Sequence, residues 1–252
     1  MPKIPISLQL YTVRDDASKD FAGTLRRVAD IGYAAVELAG HGDLSPRALK
    51  SLLDDLHLSV SGSHVSIDVL EKNPQQAIDD ALTLGNSHLI IPSVSEERRS
   101  SVDAWKQTAE TMDSIGETLQ TFNLTLCYHN HDFELKPLEN GELALDFLYA
   151  QTDPLWVKAE IDTYWVMVAG LDPVAYVRKY SGRVPLMHVK DRNPADGFFA
   201  EVGTGNLPLD ALVQAADEIG TKYLVVEQDV CRRPPLESVA LSYNNLKAKG
   251  YA

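Results

Sequence analysis

The sequence predicts a (β/α)8 TIM barrel in which residues 1–252 form one domain. The first observation is an alternation of short apolar β-type segments with longer amphipathic helical segments, which is typical of parallel strands joined by crossover helices. The second is that there are eight such units, which favours a closed barrel over an open sheet. The third is the length of 252 residues, close to the roughly 250 residues of a typical barrel.

The predicted strands are residues 6–10, 35–38, 59–63, 88–91, 124–129, 157–161, 184–189 and 223–227. Between them, apolar residues recur with helical spacing, as in residues 25–31, 103–122 and 209–219. Gly32 and Gly220 follow two of these segments and are typical of helix ends. Asp172 and Pro173 are typical of an N-cap and a first helical position. These punctuation residues support the assignment of helices between the strands.

A glycine-rich nucleotide-binding turn is absent from the place where an open sheet would need it. A dinucleotide-binding sheet carries Gly-x-Gly-x-x-Gly after its first strand, whereas residues 10–14 contain no glycine. Gly203 and Gly205 come only after the seventh predicted strand and lack a third glycine. The sequence therefore disfavours a dinucleotide-binding fold.

Composition and net charge indicate a folded protein that binds neither nucleic acid nor membranes. Apolar residues make up 44% of the chain, enough for a large core. The formal net charge of -13 disfavours nucleic acid and anionic membrane surfaces. Two cysteines, no signal-like segment and no apolar run of about 20 residues predict a cytoplasmic protein with no membrane partner. The sequence leaves open whether the chain forms a homo-oligomer.

Titratable side chains end three consecutive predicted strands. Asp162, His188 and Glu227 lie at the ends of the sixth, seventh and eighth, where barrels of this kind place catalytic residues. A mixed oxygen and nitrogen set without a thiolate suits Mn²⁺, Mg²⁺, Co²⁺ or Zn²⁺. We therefore expect these residues to hold one divalent metal ion, with ordinary salt bridges at the barrel rim as the alternative.

The end of the fifth strand carries the densest group of titratable residues. His129 and His131 occupy alternate positions, so their side chains point the same way on an extended strand, and Glu134 follows three residues later. Each histidine is a candidate ligand, acid/base or substrate hydrogen-bonder. We predict that this cluster carries proton transfer, with Glu227 as the rival base.

Further polar or aromatic residues near the strand ends are candidates for binding substrate. Trp165 offers an aromatic face for stacking on a sugar, with a core position as the alternative. Because basic residues are few at the strand ends and only the Gly203 and Gly205 pair offers an anion-binding turn, we expect a neutral, polyol-like substrate. The predicted substrate-binding residues are Gln9, Tyr11, His64, Trp165 and Lys190.

Several of these segments together resemble the sugar phosphate isomerase/epimerase family of xylose isomerase-like barrels, along the full chain. The motifs are Ser-Leu-Gln-Leu-Tyr-Thr-Val-Arg-Asp at 7–15, Tyr-His-Asn-His-Asp-Phe-Glu at 128–134, Glu-Ile-Asp-Thr-Tyr-Trp at 160–165, His-Val-Lys-Asp at 188–191 and Val-Glu-Gln-Asp at 226–229.

The resemblance implies a metal held by Glu, Asp, His and Glu from strands five to eight. Asp162, His188 and Glu227 match the last three positions. The first position departs from the epimerases, which often have glutamate where this chain has His129. Glu134 is the replacement ligand that we favour, and direct ligation by His129 is the alternative. This form of the motif is similar to that of inosose dehydratases and of enzymes that act on 3-keto sugars.

The expected function is that of a divalent-metal-dependent isomerase or epimerase, with Mn²⁺ as the first candidate, acting through an enediolate on a small carbohydrate. A dehydratase or lyase acting on a keto-inositol or 3-keto sugar is the main alternative. An apurinic-site endonuclease-like phosphodiesterase is more distant, because the charge of -13 opposes DNA binding. A non-catalytic sugar-binding barrel is the fourth possibility.

Overall fold

Eight parallel strands close into a barrel in the computed structural model, which describes residues 4–252. The predicted TIM barrel is confirmed. The barrel strands are β1 (Ile6–Gln9), β2 (Ala35–Leu38), β3 (Ser59–His64), β4 (His88–Ile91), β5 (Thr125–His129), β6 (Val157–Asp162), β7 (Leu186–Val189) and β10 (Tyr223–Val226). A two-stranded antiparallel ribbon, β8 (Asp191–Arg192) and β9 (Phe199–Ala200), lies in the connection between β7 and β10 and was not predicted.

The strand boundaries differ from the predicted ones by two residues at most, for local reasons. β7 begins only after Pro185, which has no N–H to donate to a ladder. β5 begins after Leu124, whose N–H still bonds to Leu119 O at the end of the preceding helix. β3 extends to His64, which pairs with Ile90 on β4.

Helices of varied length surround the barrel, and the predicted caps are confirmed. Asp172 accepts hydrogen bonds from Val174 N and Ala175 N, and Gly32 and Gly220 end their helices with positive φ. The α-helices are α1 (Arg14–Ala17), α2 (Phe21–Ile31), α3 (Pro46–Asp55), α4 (Ile67–Lys72), α5 (Gln75–Leu84), α6 (Val102–Gln120), α7 (Ala144–Gln151), α8 (Thr163–Val168), α9 (Pro173–Lys179), α10 (Leu209–Ile219) and α11 (Pro235–Ala248). Within residues 4–252, none of the helices combines the length and apolarity that crossing a membrane requires.

The barrel interior changes from apolar to charged along its axis. Ile90, Cys127 and Leu186 form a small buried cluster apart from the main core. Two residues further along β5 and β7, the same inward-facing positions carry His129 and His188. The inward face of these strands therefore carries titratable groups at the carboxyl end of the barrel and apolar side chains one layer below.

Gly62 makes room for neighbouring side chains inside the barrel. It pairs with Glu37 on β2, next to a register shift between Val36 and Glu37. A Cβ at Gly62 would lie 2.3 Å from Ile90 Cδ1 and 3.3 Å from Glu37 Oε2. Glycine therefore leaves space mainly for the Ile90 side chain, and to a smaller extent for the Glu37 carboxylate beside it.

Outside the candidate site, two groups of polar contacts hold neighbouring helices and strands together. The Arg183 guanidinium, largely buried, donates to the backbone oxygens of Val157, Tyr149 and Thr152. The second group joins helix α7 to helix α9. The carboxylate of Asp146 on α7 accepts from Tyr176 and Lys179 on α9 and from Tyr180, which directly follows α9. Partial burial alone would raise the pKa of Asp146, but these donors lower it.

Candidate active site

Four buried residues from the last strands of the barrel form what we call the outer cluster: His129, Asp162, His188 and Glu227. One ligand-capable atom of each lies within 4.8 Å of the others. Strand register brings them together, because Asp162 pairs with His188 and Val225 pairs with His188 on the other side. The three residues predicted from the strand ends are therefore adjacent, with His129 as the fourth member.

Lys190 neutralises the carboxylates of this cluster. Its ammonium nitrogen lies 2.8 Å from Asp162 Oδ2, 2.6 Å from Glu227 Oε2 and 3.0 Å from Asp229 Oδ2. The side chain is only 1% exposed. Burial alone would lower the pKa of Lys190, but the three carboxylates raise it well above its usual value. Lys190 was predicted to bind substrate, whereas the structure commits its ammonium to carboxylates of the protein.

A second set of residues lies against the other side of the His129 and His188 rings, and we call it the inner cluster: Glu37, His64 and Glu160. His64 Nε2 lies 3.1 Å from Glu37 Oε1 and 3.4 Å from Glu160 Oε2. Glu37 and Glu160 are fully buried, and each has one carboxylate oxygen without a hydrogen-bond partner. Burial alone would lower the pKa of His64, but the two carboxylates raise it to about 9.

The imidazoles of His129 and His188 connect the two clusters through opposite nitrogens. His129 Nδ1 lies 3.0 Å from Glu160 Oε2, and its Nε2 lies 3.7 Å from Asp162 Oδ2. His188 Nε2 lies 2.8 Å from Glu37 Oε1, and its Nδ1 lies 3.0 Å from Glu227 Oε2. His188 Nε2 also lies 3.3 Å from Glu160 Oε2. The His129 ring therefore faces one inner carboxylate, the His188 ring faces both, and each ring faces one outer carboxylate.

His131 lies beside the outer cluster among aromatic rings. Its ring is stacked on Phe133, with centroids 5.7 Å apart, and lies 5.8 Å from Trp165 and 4.9 Å from His129. His131 Nδ1 is buried without a hydrogen-bond partner. Burial, with a contribution from Lys190, lowers the pKa of His131 to about 4. His131 is therefore a neutral imidazole with an unused nitrogen at neutral pH.

Glu134 was the favoured first metal ligand, but the structure does not bring it into the outer cluster. Its Oε1 accepts a hydrogen bond of 2.6 Å from Tyr128 Oη, and its Oε2 accepts one of 2.8 Å from His131 N. The side chain is fully buried, and burial raises its pKa to about 7 despite these donors. Glu134 supports the backbone that carries His131, and His129 occupies the position expected for Glu134.

Two of the predicted substrate-binding residues have contrasting surroundings. Gln9 is fully buried, its Oε1 accepts from Tyr11 N, and its Nε2 donates to Glu37 Oε1. Both ends of this amide are used inside the protein, so the structure does not present Gln9 to a substrate. Tyr11 is 45% exposed, with the Arg14 guanidinium 4.1 Å from its ring centroid.

The glycine pair predicted as a possible anion-binding turn binds a carboxylate of the chain itself. Gly203 N and Gly205 N each donate to Asp191 Oδ2 at 2.9 Å. Leu207 N donates to Asp191 Oδ1 at 2.8 Å. These N–H groups are therefore unavailable to an external phosphate in this arrangement.

The outer cluster has the chemistry of a divalent-metal site. It offers two carboxylates and two imidazoles, a set that borderline divalent cations accept. All four side chains are buried, and Asp162 Oδ2 and Glu227 Oε2 both face one positive charge, the Lys190 ammonium, at 2.8 and 2.6 Å. Carboxylate oxygens gathered around a positive charge are placed for a cation, so the residues present fit a metal ion.

The inner carboxylates Glu37 and Glu160 lie near strand ends in the sequence, but no catalytic, binding or metal role was predicted for them. A signal existed, because Glu160 and Asp162 alternate on one strand and therefore share its inward face. Glu37 is the next-to-last residue of the second strand. The contact between Glu37 and His188 could not be predicted, because the two residues are 151 positions apart along the chain.

Known proteins resemble this chain at the level of family and fold. A profile of the xylose isomerase-like TIM barrel family matches residues 25–247. The inosose dehydratase of Lacticaseibacillus casei is 23% identical over 261 residues, which cover 87% of this chain and 84% of that protein. The inosose dehydratase of Clostridium tetani is 29% identical over 167 residues, covering 58% of this chain and 55% of that protein. A sugar phosphate isomerase/epimerase from Parabacteroides distasonis superposes with a TM-score of 0.86 and 25% identity, covering 100% of this chain and 96% of that one.

Proposed function

Because the chain belongs to the xylose isomerase-like TIM barrel family, we propose that it removes a proton next to the carbonyl group of a small keto-carbohydrate and then eliminates water. The observation that carries the proposal is His131 Nδ1, a buried imidazole nitrogen that has no hydrogen-bond partner and lies on a ring beside the outer cluster. An epimerase that moves a proton between two faces of a carbon needs an acid/base group on each face. The similarity to inosose dehydratases agrees with elimination.

In this proposal the outer cluster holds one divalent cation, with Mn²⁺ as the first candidate. Asp162, Glu227, His129 and His188 are the four ligands. A bound divalent cation supplies Lewis-acid polarisation of a substrate carbonyl. His129 takes the position for which Glu134 was predicted, because the Glu134 oxygens are occupied by Tyr128 and His131.

His131 is the proposed base. Its Nδ1 accepts the proton from the carbon next to the carbonyl, and the electrons of that C–H bond form a carbon–carbon double bond. The C–O bond on the next carbon breaks, and the leaving hydroxyl takes a proton from the imidazolium and departs as water. Glu134 holds His131 in place through the backbone N–H. Trp165, with its ring 5.8 Å from that of His131, is the proposed face for stacking on the carbohydrate.

The proposed substrate carries no phosphate. The support is that Asp191 already accepts the N–H groups of Gly203 and Gly205, and that Lys190 is enclosed by carboxylates. Comparing turnover of free and phosphorylated keto-carbohydrates tests this. A strong preference for the phosphorylated compound would contradict it.

The metal assignment is tested by elemental analysis of the purified protein. Wild type should contain about one divalent ion per chain, and Asp162→Ala and Glu227→Ala should contain much less. Asp210→Ala is the matched control, because this exposed carboxylate pairs with Lys249 away from the barrel axis. Equal metal content in all four proteins would refute the assignment.

The reaction is tested by incubating keto-inositols and free ketoses with the manganese-loaded protein in deuterium oxide. Loss of water and deuterium exchange at the adjacent carbon should both be observed in wild type and be lost in His131→Ala. His57→Asn is the matched control, because His57 is exposed and its positive φ of 56° suits asparagine. Exchange at the wild-type rate in His131→Ala would move the base to Glu227.

Isomerisation or epimerisation is the second candidate. The sugar phosphate isomerase/epimerase from Parabacteroides distasonis, at a TM-score of 0.86, favours it. The same incubation distinguishes the two, because an epimerase returns a product of unchanged mass apart from deuterium, whereas elimination yields a product lighter by one water.

A further inference from the structure

We propose that Glu37 and Glu160 are positioning residues that fix the tautomers of His188 and His129, so that a metal ion binds through His129 Nε2 and His188 Nδ1. This inference rests on the metal site of the proposed function and goes beyond it. It assigns a role to two buried carboxylates that the proposed reaction does not otherwise use.

The first step is the chemistry of the imidazole ring. A neutral imidazole has one nitrogen that carries a proton and one with a free lone pair, and only the lone pair can bind a metal. Ligating histidines usually donate the other N–H to a carboxylate or carbonyl, which fixes the ring and its tautomer. The partner of each nitrogen therefore decides which side of the ring faces the metal.

The second step is the placement of both rings between two carboxylates. His129 Nδ1 is 3.0 Å from Glu160 Oε2, and His188 Nε2 is 2.8 Å from Glu37 Oε1. If these nitrogens donate, the lone pairs of His129 Nε2 and His188 Nδ1 both face the outer cluster. Two different tautomers on two different strands thus converge on one position.

The third step is that Glu37 is held as an acceptor. Tyr11 N donates to Gln9 Oε1, which leaves the amide nitrogen of Gln9 to donate to Glu37 Oε1 at 2.7 Å. The orientation of this amide is thereby fixed by the backbone. Gln9, predicted to bind substrate, instead holds Glu37, which in turn contacts His188, a proposed metal ligand.

An alternative position for the ion, beside the inner cluster, requires the opposite tautomers. His64, His129, Glu160 and His188 also place their ligand-capable atoms within 4.8 Å of one another. An ion there would take the lone pairs of His129 Nδ1 and His188 Nε2, with the ring protons turned towards Asp162 and Glu227. The outer position lies beside His131, the proposed base, and its two carboxylates already surround a positive charge, the Lys190 ammonium, so we assign the ion to it.

The direct test is the tautomeric state of the histidines in the zinc-loaded protein, measured by long-range ¹H–¹⁵N NMR. Zn²⁺ is the probe because it is diamagnetic. The chain has seven histidines, so signals are assigned with single His→Asn variants. We expect a proton on His129 Nδ1 and on His188 Nε2, with the other nitrogen of each ring bound to zinc. The opposite pair of tautomers would overturn the inference.

Calorimetric zinc titrations of variants supply the second readout. Glu160→Ala and Glu37→Ala should each raise the Zn²⁺ Kd about 10–100-fold, and Glu160→Gln, which keeps an acceptor oxygen, should raise it less. Glu201→Ala is the matched control, since this largely buried carboxylate bonds to Arg233 and Ser238 and to none of these histidines. Unchanged Kd values in both alanine variants would overturn the inference. If wild type binds no zinc, the metal site of the proposed function fails, and this inference fails with it.

Discussion

Replacement of Lys190 by methionine should make the stability of the protein depend strongly on a divalent cation. In wild type the Lys190 ammonium lies 2.6–3.0 Å from three carboxylate oxygens and is 1% exposed. Methionine keeps much of the shape but removes the charge, which leaves Asp162 and Glu227 buried without the Lys190 ammonium. Removal of one partner of a buried ion pair costs about 3–5 kcal/mol.

That free energy converts into a large change in melting temperature. For a chain of this length, 1 kcal/mol corresponds to roughly 2–4 °C in Tm, so Lys190→Met should melt about 6–20 °C below wild type in EDTA. A ligand at 100 times its Kd stabilises any folded protein by about 2.7 kcal/mol. In the variant, the bound cation also relieves the repulsion between the carboxylates, so the gain with Mn²⁺ should exceed that of wild type by several degrees.

The assay is differential scanning calorimetry of both proteins in EDTA and in excess MnCl₂. Lys249→Met is the matched control, because the Lys249–Asp210 pair is exposed and should contribute less than about 1 kcal/mol. The reasoning is refuted if Lys190→Met melts within 2 °C (about 1 kcal/mol) of wild type in EDTA. It is also refuted if Mn²⁺ raises the Tm of both proteins equally.

Three further predictions concern the folded shell. Asp146→Asn should lower the free energy of unfolding by about 1 kcal/mol near neutral pH. Because the pKa of Asp146 is lower in the folded than in the unfolded protein, the difference between variant and wild type should disappear as the pH falls from about 4 through the folded pKa. Urea titrations of both proteins across that pH range test this. Arg183→Met should lower the free energy of unfolding in urea by about 3 kcal/mol, because it removes a guanidinium that donates to three backbone oxygens. Arg183→Lys should recover little of this, since an ammonium lacks the planar fork. Gly205→Ala should cost about 1–3 kcal/mol, because its Cβ would lie 2.3 Å from the backbone oxygen of Arg192; an unchanged urea midpoint would contradict this.

The barrel itself was predictable because strand and helix periods are properties of local sequence. All eight barrel strands occur where alternating segments predicted them, and the differences at Pro185 and Leu124 come from single backbone N–H groups. The ribbon of β8 and β9 was not predictable in this way. Its two strands have two residues each, too few to show a period.

Part of the candidate site follows from the same rule. Parallel strands in a barrel end at one face, so the strand positions of Asp162, His188 and Glu227 suffice to bring them together. Glu134 shows the limit of that rule. It lies beyond the strand, in a short 3-10 helix, where the direction of the side chain depends on local turns and on the nearby Tyr128 hydroxyl.

The barrel, the face that carries the candidate site and the types of side chain gathered there follow from the sequence alone, because they depend on strand period and parallel direction. Three contacts follow only from the folded structure: Lys190 with three carboxylates, Asp191 with the glycine turn, and Glu37 with His188. Those contacts join groups on different strands and loops, across up to 151 positions of the chain. They depend on register, side-chain length and the direction of single hydrogen bonds, none of which leaves a periodic pattern in the sequence.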